Sequence, residues 1–312
     1  DILLNMGEIK VYRNIEVNNP VMIAGWPGMG SVALGVVDYL RRKMNAVKFA
    51  EITVDRLSVL DSVVVKKGIA SLPVTPKNTF YYRKNPDIIL FEGSVQVHGR
   101  GGIMLLNQVL DVASRLRTSR IFTGAAYPMP VSHKEEAEIY CAANDKNLKE
   151  FVTKLDVHPM DDGHISGLNG LLLGFAGEKG LGAACLLATI PHYAISLPNP
   201  KASAVIIKLL SRMLNFDVNT IELDQFSKEM DDKMSLIEDK VKDVFIEDHQ
   251  TDPVIHHEKE IPSAVIDRIE KLFNEAKADR SKAAMLKKEL DRWDLYGLHE
   301  DRFLDLFREG RS

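Results

Sequence analysis

A short apolar run, Val21 to Gly25, stops at glycine, and the chain then changes period. Met29, Val32, Ala33, Val36, Val37 and Leu40 recur at helical spacing over residues 29–44. The stripe closes near Arg41-Arg42-Lys43, and basic side chains suit a helix C-terminus because the macrodipole is negative there. A buried strand passing through a glycine turn into an amphipathic helix is the unit of an α/β fold, and the pattern repeats. Strand-type segments follow at Val47 to Val54, Ser62 to Lys66, Thr79 to Arg83, Asp87 to Phe91, Arg120 to Ala125 and Leu181 to Ile190. Helical faces follow at Ile103, Leu106, Leu110 and Ala113, and at Lys146 to Leu155. Asn199-Pro200 reads as an N-cap and first turn ahead of Ala202, Val205, Ile206, Leu209, Leu210 and Met213. Near-continuous apolar strands imply a sheet with both faces covered by helices. The extra strands between residues 47 and 91 imply a mixed sheet. Val36, Leu40, Leu106, Leu110, Val205 and Leu209 are expected in the core.

After about residue 217 the strand pattern stops. Leu223, Phe226, Met230, Met234, Ile237, Val241 and Val244 are spaced 3, 4, 4, 3, 4 and 3 apart, one apolar helical stripe. Further stripes run through Val265, Ile269, Leu272 and Ala276, through Leu286, Leu290 and Trp293, and through Phe303, Leu306 and Phe307. The expected organisation is therefore an α/β domain over 1–217 and an all-helical C-terminal module over 218–312. Within that module the first stripe is expected in an antiparallel helical hairpin that contributes to self-association.

With 40 basic and 44 acidic residues, a net charge of −4 leaves no basic stripe of the kind nucleic-acid binders carry. No segment reaches the roughly 20 apolar residues of a membrane helix, and no signal-peptide pattern opens the chain. A cytoplasmic protein without nucleic-acid or membrane partners is expected. Cys141 and Cys185 lie in apolar surroundings and read as two buried thiols of a reducing compartment, with a disulfide between them possible but unneeded.

Gly25-Trp26-Pro27-Gly28-Met29-Gly30-Ser31 has two readings. Glycines before a helix N-terminus can admit an anion. The same turn can also be a tight connection anchored by Trp26. The spacing matches neither G-x-G-x-x-G nor a P-loop. A second cluster, Gly167, Gly170 and Gly174, lies on one helical face with the polar Asn169 among apolar neighbours. Glu92 and His192 follow strand ends, where open α/β sheets place ligands. The candidate pocket is Gly25, Trp26, Gly28, Gly30, Ser31, Glu92, Asn169 and His192. His256-His257-Glu258 and Asp161-Asp162-Gly163-His164 match no recognised metal spacing, so no metal site, cofactor or catalytic residue is assigned.

Three segments together resemble one family. They are Gly25-Trp26-Pro27-Gly28-Met29-Gly30, Ile165-Ser166-Gly167-Leu168-Asn169-Gly170, and Pro191-His192-Tyr193 with Pro198-Asn199-Pro200-Lys201-Ala202. Their order resembles the proteasome assembly chaperone 2 family in its prokaryotic form, over residues 8–217. The resemblance implies a phosphorylase/hydrolase-like three-layer core, a homo-oligomer, and a non-enzymatic scaffold or assembly role whose partners are proteasome subunits or another protein complex. The alternative is a small-molecule-binding protein or enzyme using a phosphorylase-like pocket at the glycine turn. Some relatives carry an ATP-grasp label, for which this sequence offers no glycine loop joined to magnesium-binding carboxylates. Archaeal relatives that bind the proteasome can end in a hydrophobic–Tyr–any-residue tail. Here the last residues read Phe307-Arg308-Glu309-Gly310-Arg311-Ser312, so that docking device is not expected.

Overall fold

In the computed structural model the alternating segments become a nine-stranded sheet with helices on both faces. The structure describes residues 9–54, 63–73, 76–247, 263–278, 282–292, 302, 303 and 306. In chain order the elements are β1 (Ile9–Val11), β2 (Val21–Gly25), α1 (Val32–Lys43), β3 (Val47–Thr53), β4 (Val64–Lys66), β5 (Ile69–Ser71), β6 (Lys77–Arg83), β7 (Ile88–Gly93) and α2 (Gly99–Arg115). Next come β8 (Arg120–Met129), β9 (Ile139–Ala143), α3 (Lys146–Thr153), β10 (His158–Pro159), α4 (Leu168–Glu178), β11 (Ala183–Pro191) and α5 (Pro200–Leu214). Helices α6 (Ile221–Glu247), α7 (Ser263–Ala278) and α8 (Ala283–Arg292) complete the order.

The sheet runs β1-β3-β6-β7-β2-β8-β11-β9-β10. Its centre, β7-β2-β8-β11, is parallel, and β1, β3, β6 and β9 pair antiparallel at its flanks, so the sheet is mixed as expected. All nine residues of β11 are buried, which matches a strand with no polar side in its sequence. Helices α1 and α5 cover one face with Val36, Leu40, Ile206, Leu209 and Leu210 over Ile23, Leu90 and Phe122. Helices α2 and α4 cover the other with Leu106, Val109, Leu168 and Leu172 over Met22, Phe91 and Ile121. Of the six expected core residues, five are buried, and Val205 is half-buried at the margin of the α5 stripe. Asn199 caps α5 as its sequence implies, accepting from the Ala202 N–H at 2.9 Å.

Two local departures have clear causes. Helix α1 begins at Val32 rather than Met29, because Gly30 and Ser31 both stand at positive φ, 62° and 50°. Met29 therefore leaves the helical stripe and is exposed. Strand β10 has two residues, too few for a period, and the Ile-Tyr-Cys-Ala-Ala of β9 shows no polar–apolar alternation.

Two compact units divide the chain, Asp1–Val244 and Phe245–Ser312. Most of α6 thus belongs with the α/β unit, whereas the sequence placed the break after residue 217. Leu223, Met230 and Met234 are buried, and the two methionines pack with Ala194 in a cluster shared with Tyr193 and Leu197. In the first half of the α6 stripe Leu223, Met230 and Met234 pack on the α/β body, while Phe226 is 39% exposed. Tyr39 donates to the Asn219 carbonyl at 2.7 Å, and Lys43 and Arg42 pair with Glu222. These contacts fix the start of α6. The side chains of Ile237, Val241 and Val244 lie outside the described residues. In the second unit, Ile269, Phe273 and Ala276 of α7 pack with Leu286 and Leu290 of α8 and with Phe303 and Leu306. Arg302 lies over the Phe273 ring and forms a forked pair with Glu270 at 2.5 and 2.6 Å.

Candidate functional site

The glycine turn leaves β2 under tight steric control. A Cβ on Gly25 would sit 2.5 Å from the Ala33 carbonyl oxygen, so α1 approaches the strand this closely only over glycine. Trp26 is fully buried, with its ring 4.9 Å from Phe91. Gly93 leaves room for it: a Cβ there would lie 2.2 Å from the indole.

The turn's polar groups are then claimed one by one. Asn169, in the first turn of α4, accepts from the Trp26 N–H at 3.0 Å and donates to the Trp26 carbonyl at 3.2 Å. Gln96 donates to the Pro27 carbonyl and accepts from the Leu168 N–H at 3.1 Å. The Gly30 N–H donates to Ile195 O at 2.8 Å, the Ser31 N–H to Gly28 O at 2.9 Å, and Gly30 O accepts from Asn199 N–H at 2.7 Å. Three donors of the loop are thus satisfied within the protein, leaving them nothing to offer an anion. The three segments singled out in the sequence meet here: Asn169 and Asn199 are the polar links that hold the glycine turn.

Around this knot lie two cavities. One, about 310 Å³, is lined by Gly28, Met29, Tyr127, Met160, His164 and Asn169, among others. It opens at the carboxyl ends of β2 and β8. From β2 the chain turns through α1 to β3, on one side of the sheet; from β8 it proceeds to β9, on the other. That reversal is the position where open α/β sheets form a ligand crevice. No Lys, Arg, Asp or Glu lines it. The second cavity, about 270 Å³, lies between α1, α5 and α6, lined by Gly30, Ser31, Leu34, Tyr39, Leu223 and Phe226 among others.

The eight candidate residues are therefore dispersed. Gly28 and Asn169 share the first cavity, and Gly30 and Ser31 share the second. Gly25 and Trp26 are interior. Glu92 lines neither cavity and pairs with Arg41 at 2.8 Å, with the Arg41 guanidinium 5.3 Å from the Tyr81 ring. His192 is exposed in a 3-10 turn, beside Tyr193. Asp161, Asp162 and His164 are exposed, and no metal-holding group of three acidic, His or Cys side chains occurs among the described residues. His256-His257-Glu258 lies outside the described residues.

One cluster escaped the sequence. His133, buried in the β8–β9 connection, contacts Tyr193 Oη through Nδ1 at 3.0 Å and Ser235 Oγ through Nε2 at 2.9 Å. Its N–H also donates to Tyr193 Oη at 3.1 Å, and its carbonyl accepts from Lys201, which pairs with Asp231 at 3.3 Å. Three separate segments are thus pinned to α6. Tyr193 and Lys201 belong to segments that the sequence had marked, but His133 sits in an ordinary polar stretch without a motif.

Cys141 and Cys185 are buried free thiols. Burial pushes Cys141 up to about 11 and Cys185 up to about 12, so both stay protonated at neutral pH. Among the described residues no helix is long and apolar enough to cross a membrane.

A PAC2 family model matches residues 22–238. The crystal structure of Pyrococcus furiosus PbaB, an archaeal proteasome activator, is similar with a TM-score of 0.65 and 26% identity, over 75% of this chain and 99% of that one. Pyrococcus furiosus PbaA, an archaeal homolog of proteasome-assembly chaperone, shares the fold at a TM-score of 0.57 and 19% identity, over 75% of this chain and 99% of its own. An uncharacterized protein of Methanocaldococcus jannaschii is 26% identical over 224 residues, 70% of this chain and 86% of that protein.

Proposed function

The chain belongs to the PAC2 family, and from that premise we propose that it is a non-enzymatic, cytoplasmic scaffold or assembly chaperone for a proteasome-like complex. The observation that carries this reading is the likeness to an archaeal proteasome activator across nearly the whole of that chain. The chemistry of the glycine turn agrees with it. Three of the turn's amide groups, those of Trp26, Gly30 and Ser31, are spent on Asn169, Ile195 and Gly28, which supports reading the turn as a structural joint. The test is co-sedimentation of the purified full-length chain with the proteasome core particle of its source organism, alongside assembly of that particle from separate subunits. Binding together with a changed yield of assembled particle is the expected outcome. The absence of binding together with an unchanged yield would overturn the reading.

A second reading has one observation in its favour, the 310 Å³ crevice at the strand reversal between β2 and β8. With no charged Lys, Arg, Asp or Glu in its lining, it suits a small uncharged molecule rather than a phosphate. A thermal-shift comparison of nucleosides, nucleotides and inorganic phosphate distinguishes the two readings. Under the scaffold reading none of these stabilises the protein. A reproducible rise with a nucleoside, abolished in Gly28→Val, would favour the ligand-binding reading.

A further inference from the structure

The crevice of about 310 Å³ between β2 and β8 has a lining of two kinds. Ala125, Ala126, Ile165 and Leu187 make much of it apolar. Tyr127 of β8 adds an aromatic ring, and that ring belongs to a row. It lies 4.9 Å from the ring of Tyr140 on β9, edge on, and Tyr140 lies 5.2 Å from His158 on β10. The Met160 thioether also lines the crevice, and sulfur beside a ring is a favourable contact. Such walls suit a flat, polarizable body. At this volume the crevice stands at the small end of ligand pockets.

The other kind of lining is polar, and beside the glycine turn it consists of donors. The N–H groups of Trp26, Gly30 and Ser31 are bonded within the protein. Those of Gly28 and Met29 find no partner among the described residues, and both residues are exposed. Asn169 and Gln96 add to them. Each side-chain oxygen already accepts, from the Trp26 and Leu168 N–H groups, whereas each nitrogen gives one of its two hydrogens to the Trp26 or Pro27 carbonyl. A Cβ on Gly28 would stand 3.7 Å from Asn169 Nδ2, so these donors are neighbours. Ser166 and His164 are exposed and can act either way. We infer that the crevice binds a neutral planar ring through a ring carbonyl. The carbonyl oxygen takes the Gly28 and Met29 N–H groups, and the ring lies beside Tyr127 and Met160. A carboxylate or phosphate fits less well, because no Lys or Arg lines the crevice to offset its desolvation. A ring without an oxo group leaves both amides unpaired.

This rests on the ligand-binding reading of the crevice and names the atoms that select the ligand. Saturation-transfer NMR titrations of the full-length chain with uracil, adenine and benzoate test it. Uracil is expected to bind. Adenine has no carbonyl and benzoate is charged, so each should bind about tenfold more weakly or worse. Met29→Pro removes one of the two amide hydrogens. Gly28 before it is extended, at φ −167° and ψ −173°, a conformation that a following proline favours, and Met29 opens a 3-10 turn, whose φ a proline matches. Met29→Pro should weaken uracil about tenfold, whereas Met29→Ala, which keeps the amide, should change it by less than about threefold. Gly28→Ala serves if Met29→Pro does not fold. It is unstrained at that φ, places a methyl group among the donors, and should weaken uracil about fivefold or more with the melting temperature unchanged. Binding by none of the three compounds would overturn both the inference and the reading beneath it. Adenine or benzoate binding as tightly as uracil, or uracil binding Met29→Pro as well as Met29→Ala, would overturn the inference alone. With Met29→Pro unfolded, undiminished binding to Gly28→Ala would do the same.

Discussion

At Gly30 the backbone stands at φ 62°, and a Cβ would meet Val32, Asn199 and Ile190 at 3.2 to 3.4 Å. Gly30→Ala should therefore cost about 1–2 kcal/mol, read from the urea midpoint, through left-handed strain and crowding together. Asn169 presents a different balance. Its amide satisfies both the N–H and the carbonyl of the fully buried Trp26. Asn169→Leu keeps the volume but leaves two buried groups without partners, at about 1–3 kcal/mol each. A loss under about 1 kcal/mol would mean that solvent reaches this joint. The thiols give a pH signature. Their folded values, about 11 and 12, exceed the ordinary thiol value of about 8.5. A raised acid favours its neutral form, so this contribution is complete below about pH 8.5 and is lost as pH rises towards the folded values. At pH 8, iodoacetamide should leave both thiols unmodified in the folded chain and label both in urea. Fast labelling without denaturant would refute the burial.

Among the elements, the α2 stripe is the plainest test of the layer packing. Leu106 is fully buried under the sheet, and Leu106→Ala should cost about 2–5 kcal/mol. A change below about half a kcal/mol would show that α2 does not pack through this face. Helix α6 is held differently, by a few side chains at intervals. Met230 and Met234 bury against Ala194, while Ser235 bonds His133. His133→Ala removes the imidazole contacts to Tyr193 and Ser235, while the backbone N–H still donates to Tyr193 Oη. Hydrogen exchange in α6 around Ser235 should quicken at least tenfold, with exchange in β11 unchanged. Equal acceleration in both would mean that His133 supports the whole fold rather than this helix. Glu222 belongs to the same attachment. The hydrogen bond from Lys43 holds its carboxyl below the usual carboxylate range. A lowered carboxylate contributes above its unfolded value and is lost as pH falls through the folded one, so the start of α6 should loosen at the acid end.

For the whole molecule, the position of the unit boundary has a direct consequence. A chain ending at Val244 keeps Leu223, Met230 and Met234, whereas one ending at Phe216 exposes the surface they cover. We expect residues 1–244 to melt close to the full-length α/β transition, and residues 1–216 to melt several degrees lower, since about 1 kcal/mol shifts a domain of this size by roughly 2–4 °C. Equal midpoints for the two fragments would return the boundary to residue 217.

The layer order, the mixed sheet and the cap at Asn199 were legible because each rests on local periodicity or on a residue with one dominant local preference. The apolar neighbours of Cys141 and Cys185 also indicated that both are buried. The candidate pocket was legible only in part. Gly28 and Asn169 do line one cavity, but Glu92 turns to Arg41 and His192 to the surface. Nothing local distinguishes a carboxylate after a strand that faces a crevice from one that finds a guanidinium on the next helix. His133 was invisible for the same reason: its partners Tyr193 and Ser235 stand 60 and 102 residues away. The apolar stripe of α6 was read correctly as needing a cover, yet helical spacing carries no information about which surface provides it. Periodicity determines which face of an element must be buried. Only the tertiary structure decides against what, because that depends on which other apolar surfaces the folded chain has left uncovered.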